Sequence, residues 1–147
     1  RVILSGRSIN DGMAGWVATR TAQMIIKSGK EISKSKILVL GVTFKENVSD
    51  IRNSKVVDLV KELKGFNANV EIVDPHADAE EFQHEYQLDI TPQIGEQYDA
   101  VILAVNHREY EQLDETYFKS ICTDHAVVVD IKGMYKNKMK GLTYWSL

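Results

Sequence analysis

The sequence predicts a doubly wound α/β fold, a mainly parallel sheet covered on both faces and preceded by a long helix. Two observations carry this. From Lys36 onward, short runs that are apolar at every position alternate with stretches whose apolar residues recur at helical spacing. The apolar runs also lack the in-out alternation of a half-exposed strand, so both of their faces must be covered. With 147 residues, 44% of them hydrophobic and 27% charged, the chain can bury one ordinary core, which excludes collagen-like, disordered and disulfide-scaffold classes.

The first element is a helix from Asp11 to Ser28, with Ser8 or Asn10 as N-cap and Gly29 as the stop. Its apolar residues form two stripes, Met13/Val17/Met24 and Ala14/Ala18/Ala22/Ile25, with Trp16 beside them. This face is wider than the ~100° that one contact needs. Two partners are therefore expected, either two surfaces of its own domain or one of its own and one of another subunit or domain. Lys30 to Ser35 is short and polar and reads as a linker.

Ile37-Leu38-Val39-Leu40 is the first strand, ending at Gly41, and Val56, Leu59, Val60 and Leu63 mark a helix that stops at Gly65. Val70 to Asp74 is the second strand, terminated by Pro75, and Asp78 to Tyr86 is a short acidic helix. Ala100 to Val105 and Ala126 to Asp130 are further strands, with a helix across Asp114 to Cys122 between them. Leu142 to Trp145 can add an edge strand. The order describes a Rossmann-like domain.

Composition narrows the function classes. A net charge of −3 without a basic block leaves no electrostatic footprint for nucleic acid. No apolar run approaches the ~20 residues of a membrane helix. Cys122 is the one cysteine, so no intramolecular disulfide can form, and a cytoplasmic location is expected. His76, His84, His107 and His125 stand at no metal-ligand spacing with one another or with Cys122, and no residue pattern reads as a catalytic nucleophile. Because the chain opens at Arg1 rather than Met, it is expected to be an excerpt of a longer protein.

In an open α/β sheet ligands bind outside the carboxyl ends of the strands. The loop from Gly41 to Ser54 lacks the spaced glycines of a dinucleotide cradle and is no Walker A loop. It carries Lys45 and Arg52 near a helix N-terminus, an arrangement suited to a diphosphate; the alternative is two solvated side chains. Asp50 can serve as a helix cap, Phe44 suits the core, and Asp74-Pro75 reads as a turn before a ribose acid. Asn106-His107-Arg108 faces the same crevice, with His107 read as a structural donor before a general base. Lys132, in Asp130-Ile131-Lys132-Gly133, brings another cation to that edge, with solvation again the alternative.

Gly41-Val42-Thr43-Phe44-Lys45-Glu46-Asn47 through Asp50-Ile51-Arg52-Asn53-Ser54, the Asp74-Pro75 step and Val129 to Gly133 together resemble the C-terminal region of the UDP-glucose/GDP-mannose 6-dehydrogenase family. Gly6 to Met13 and its helix resemble the family's central helical region. The form E-N-x-x-D-I-R-N-S is most similar to the branch that acts on UDP-N-acetylhexosamines for bacterial surface polysaccharides.

The resemblance implies an NAD-dependent, two-step oxidation of the sugar C6 alcohol to a carboxylate through a cysteine-bound intermediate. It divides the chain into residues 1–34, the end of a central dimerisation region, and residues 35–147, a C-terminal UDP-sugar-binding domain. It implies that Phe44, Lys45 and Lys132 contact the UDP-sugar and that Arg52 reaches NAD held by an N-terminal domain of the same protein, within a homo-oligomer. The family's Gly-Gly-Ser/Thr-Cys-x-Pro-x-Asp segment does not occur here. Cys122 is therefore not the family's thiol, no catalytic residue is assigned, and the chain by itself is expected to be inactive. The competing expectation is a stand-alone nucleotide-sensing or interaction module.

Overall fold

A computed structural model describes residues 12–147. The expected caps Ser8 and Asn10 lie outside the described residues. Helix α1 (Met13–Lys27) starts after Gly12, whose φ of 88° is left-handed and incompatible with the helix beginning at Asp11. It ends as expected: Gly29 has a φ of 91°, and the amide of Lys30 returns to the Ile25 carbonyl. The linker contains a 3-10 turn, Ile32–Lys34.

Five strands follow: β1 (Lys36–Leu40), β2 (Asn69–Val73), β3 (Tyr98–Leu103), β4 (Cys122–Asp130) and β5 (Thr143–Ser146). They form one sheet in the order β2-β1-β3-β4-β5, and every pairing is parallel. Between them run α2 (Lys55–Gly65), α3 (Ala79–Tyr86) and α4 (Glu115–Ile121). Asp78 and Asp114 cap α3 and α4 by accepting from the amides of Glu81 and Tyr117.

Consecutive residues of each strand point to opposite faces, and each face has its own core. Ile37, Val39, Ala100, Ile102, Val127 and Val129 pack under α1 and α2, joined by Phe82 of α3. Leu38, Leu40, Val101 and Leu103 pack against Phe118 and Ile121 of α4 and against Tyr110 and Tyr135 from the loops. Both stripes of α1 are buried within this chain, against α2 and the β3–β4 part of the sheet. Trp16 and Ile26 remain exposed, and the Trp16 ring lies 5.2 Å from that of Trp145 on β5.

The strand limits differ most from the sequence expectation at β4 and β3. β4 begins at Cys122 instead of Ala126; its first residues are half-buried to exposed and carry no apolar run, so the apolar pattern does not mark them. Its register also breaks: Tyr98 pairs with Cys122 but Ala100 with Val127, and His125 adopts a φ of 62° within the irregularity. β3 stops at Leu103 because the amides of Ala104 and Val105 both turn back to the carbonyl of Leu40.

That turn makes Gly41 indispensable. Its φ is +94°, and a Cβ placed there would sit 2.6 Å from Val105 Cβ and 2.9 Å from Val105 N. Left-handed strain and overpacking each cost on the order of 1–3 kcal/mol. Gly41→Ala is therefore expected to lower unfolding free energy by about 3 kcal/mol, read as a fall in the urea midpoint. An unchanged midpoint would mean that the two strand exits separate freely.

Candidate functional site

The strand order reverses between β1 and β3, so the loops leaving these neighbours diverge and open a crevice at the carboxyl rim. Three segments border it: 41–54 after β1, 104–108 after β3 and 131–135 after β4.

Asp74, immediately after β2, organises the first two segments. Its side chain is fully buried. Oδ2 accepts from the amides of Val42 (2.7 Å) and Thr43 (3.3 Å), and Oδ1 from those of His76 (2.7 Å) and Ala77 (3.1 Å). His107 Nε2 completes the set at 3.0 Å from Oδ2. Burial pushes the Asp74 carboxyl up, but the bonds from His107 and the amides outweigh it and hold the group below the ordinary carboxylate value. Asp74-Pro75 is thus a turn, as read from sequence, with its acid directed inward.

The protonation of His107 follows from its neighbours. The Asn47 amide donates to Nδ1 at 2.9 Å, so Nδ1 is a bare acceptor and the proton is assigned to Nε2. Thr43 Oγ1 gives its own proton to the Lys45 carbonyl (2.8 Å) and stands 3.3 Å from Nε2 as a second acceptor. Asn47 Oδ1 in turn accepts from the Arg108 amide at 2.7 Å. The loop after β1 is pinned to the turn after β3 through both residues. This matches the expectation of a structural His107.

A second buried acid does the same work after β4. Asp130 is 0% exposed and accepts from the amides of Gly133, Met134 and Tyr135 and from the hydroxyl of Tyr144. This holds Lys132 over the crevice, where its side chain is 9% exposed and ion-paired with Glu46. Lys132 is not a solvated lysine. Together with Glu46, Asn47, Asn106, Glu111, Met134 and Lys138 it lines a cleft of about 560 Å³. Asn106 Oδ1 is buried there without a hydrogen-bond partner.

The other candidate cation, Arg52, lies elsewhere. Its side chain is 83% exposed and grips Asp50 with two bonds of 3.0 Å. Those bonds hold the Asp50 carboxyl down at about 2. Arg52 lines a separate cleft of about 370 Å³ with Asp50, Ile51, Glu81 and Glu85. Arg52 and Lys132 therefore do not share one crevice. Asp50 caps the turn before α2, accepting from the Arg52 amide at 2.9 Å, and not the helix itself: Ser54 stands at the N-cap of α2, and its hydroxyl donates to the Val42 carbonyl. Phe44, expected in the core, is 43% exposed, with Lys45 Nζ 5.7 Å from its ring centre.

Sequence reasoning singled out Lys132 but passed over Glu46 and Asn47. Their signal was present in the loop string, but only pairing across the crevice shows what they face. Among the described residues no group of side chains could hold a metal. Cys122 lies where α4 meets β4, and burial pushes its thiol up to about 11.

Two outcomes are expected. Because the folded value of Asp74 is depressed, its contribution is complete above about pH 4 and disappears as pH falls through the lower folded value. Asp74→Asn should be about 3 kcal/mol less stable at pH 7, and urea titrations should show the gap to wild type closing below pH 4. A gap that stays constant with pH would contradict the charged hub. Cys122, with little thiolate at pH 7.5, should react with iodoacetamide at least about tenfold more slowly than free cysteine, as followed by mass spectrometry.

Comparison with known proteins places this architecture. Residues 38–137 match the UDP binding domain of the UDP-glucose/GDP-mannose dehydrogenase family. The chain is 39% identical over 132 residues to the UDP-N-acetyl-D-glucosamine 6-dehydrogenase of Salmonella typhi, covering 89% of this chain and 31% of that protein. It is 38% identical over 135 residues to Protein CapL of Staphylococcus aureus, covering 90% of this chain and 31% of CapL. The native structure of the UDP-N-acetyl-mannosamine dehydrogenase Cap5O from Staphylococcus aureus superimposes with a TM-score of 0.71 at 25% identity, over 93% of this chain and 31% of that one. The NDP-N-acetyl-D-galactosaminuronic acid dehydrogenase of Methanosarcina mazei, at 19% identity and a TM-score of 0.81, shares the fold over 99% of this chain and 34% of that one. The chain thus spans about a third of the length of these relatives.

Proposed function

The chain belongs to the UDP-glucose/GDP-mannose dehydrogenase family, and from that membership we propose that it is the UDP-sugar-binding part of an NAD-dependent dehydrogenase. The reaction is oxidation of the C6 alcohol of a UDP-N-acetylhexosamine to the uronic acid, for bacterial surface polysaccharide. The sugar class rests on the names of the relatives, two of which are N-acetylhexosamine dehydrogenases of Salmonella typhi and Staphylococcus aureus. The capsule connection rests on CapL. We further place the whole protein in the cytoplasm, as a homo-oligomer, with its NAD-binding domain and its catalytic cysteine outside this chain.

One observation carries the reading: within the matched span, a largely buried Lys132 lines a cleft at the carboxyl rim of the sheet. A diphosphate meeting that ammonium in a sheltered cleft is attracted more strongly than by a cation in open water. Phe44 and Lys45, on the exposed part of the β1 loop, complete the UDP-sugar contact in this reading. Arg52, in its own cleft, is left for the cofactor side.

The residues present do not fit NAD at the usual glycine-rich turn. No glycine follows Gly41 before Gly65, and the amides of Val42 and Thr43, which would face a pyrophosphate, are occupied by Asp74. No step of the oxidation is routed through this chain. Its residues bind and orient the nucleotide end of the substrate.

Two charge-assisted contacts, from Lys45 and Lys132, contribute about 3–6 kcal/mol, which corresponds to dissociation constants between several millimolar and tens of micromolar. UDP titrated into the chain and followed by NMR should therefore shift amide resonances with a midpoint at several millimolar or below. Lys132→Ala should weaken binding about tenfold, and Arg52→Ala should change it less than about twofold. No shift at several millimolar UDP, or equal losses for both variants, would remove the basis for the assignment. In the complete protein, Arg52→Ala should raise KM for NAD and leave KM for the UDP-sugar unchanged.

A further inference from the structure

We propose that His107 is a positioning residue for nucleotide binding: a neutral imidazole whose bare Nδ1 holds the Asn47 amide and thereby sets the loop edge of the Lys132 cleft. The inference deepens the UDP-sugar reading and rests on it for the identity of the ligand. His107 is 0% exposed although it follows Asn106, which lines the cleft. The ring cannot turn, because Nε2 is committed to Asp74 at 3.0 Å and Nδ1 to Asn47 at 2.9 Å.

Neighbouring groups reinforce this lock. Tyr110 packs with its ring centre 5.7 Å from that of His107. The His76 ring, itself bonded to Glu109 at 2.9 Å, lies 4.5 Å away on the β2 side.

What the lock positions is the segment that faces Lys132. Asn47 adopts a left-handed φ of 61°, which its short polar side chain tolerates, and it is fastened at both its amide and its side chain. The residue before it, Glu46, is the ion-pair partner of Lys132. A ligand anion reaching Lys132 must pass Glu46, and the place from which Glu46 moves is set by Asn47. The imidazole has no free nitrogen to offer a substrate, so it exchanges no proton with one. Its contribution is geometric: the loop is held before the ligand arrives, and binding need not spend free energy on ordering it.

The two ring nitrogens can be replaced separately. In His107→Asn the side-chain oxygen falls near the place of Nδ1 and can still accept from Asn47. In His107→Gln the side-chain nitrogen falls near Nε2 and can still donate to Asp74. Both variants lose some stability, read by urea unfolding, but they should part in UDP affinity. The asparagine variant is expected to stay within about threefold of wild type and the glutamine variant to weaken about tenfold, the value of one hydrogen bond. Amide exchange at Asn47 should be slow in wild type compared with the exposed Val48 and Ser49, and fast in the glutamine variant.

Equal loss of UDP affinity in the two variants, or loss that follows their stability, would overturn the positioning role, as would rapid Asn47 exchange in wild type. A wild-type chain that protects Asn47 yet ignores UDP would instead overturn the ligand assignment and leave the lock standing.

Discussion

A single buried carboxylate holds the binding rim of this protein together. Asp74 directly follows β2, yet its hydrogen bonds reach the first residues after β1, its own turn and the histidine after β3. A carboxylate in an apolar interior is costly unless its lone pairs are filled. Here they are filled by backbone amides that the strand exits would otherwise leave unpaired. The acid and the loops therefore stabilise each other, and removing either partner exposes the other's desolvation cost.

The same device recurs after β4, where Asp130 gathers the amides of residues 133–135. Two inward-facing acids thus fix the loops on either side of the crevice. The consequence is electrostatic. Loops tied down in this way can keep Lys132 largely out of water, where its charge is weakly screened, whereas Arg52, satisfied by Asp50 and 83% exposed, acts mainly on its neighbour. Two cations equally visible in the chain differ in surroundings because Lys132 stands directly beside the amides that Asp130 gathers, whereas Arg52 lies near the far end of its loop, about ten residues beyond the amides that Asp74 holds.

The resulting division of labour fits the span of the chain within its relatives. The amides of Val42 and Thr43 and of residues 133–135 are consumed by the two acids and are not open to a pyrophosphate, so the proposed reading gives anion recognition to side chains. That suits the substrate-binding portion of an enzyme better than its cofactor-binding portion. Cys122, half-buried where α4 meets β4, is poorly ionised, as suits a packing residue.

Much of this architecture was legible from residue order. Strands apolar at every position require cover on both faces, and β1, β2 and β3 appear where Ile37, Val70 and Ala100 begin their runs, to within two residues. Gly41 as the end of β1 and Gly29 as the stop of α1 were readable because each answers a local need of the backbone. The start of β4 was hidden because its first residues carry no apolar pattern, and the start of α1 because the backbone at Gly12 leaves the helical region. By itself the sequence determined the layers, their order along the chain and the inventory of cations and acids, since these depend on periodicity and local sterics. Which cation is sheltered, which acid faces inward and which nitrogen of His107 carries the proton were decided only by tertiary structure, because each depends on partners roughly thirty to ninety residues away that meet only when the parallel sheet has closed.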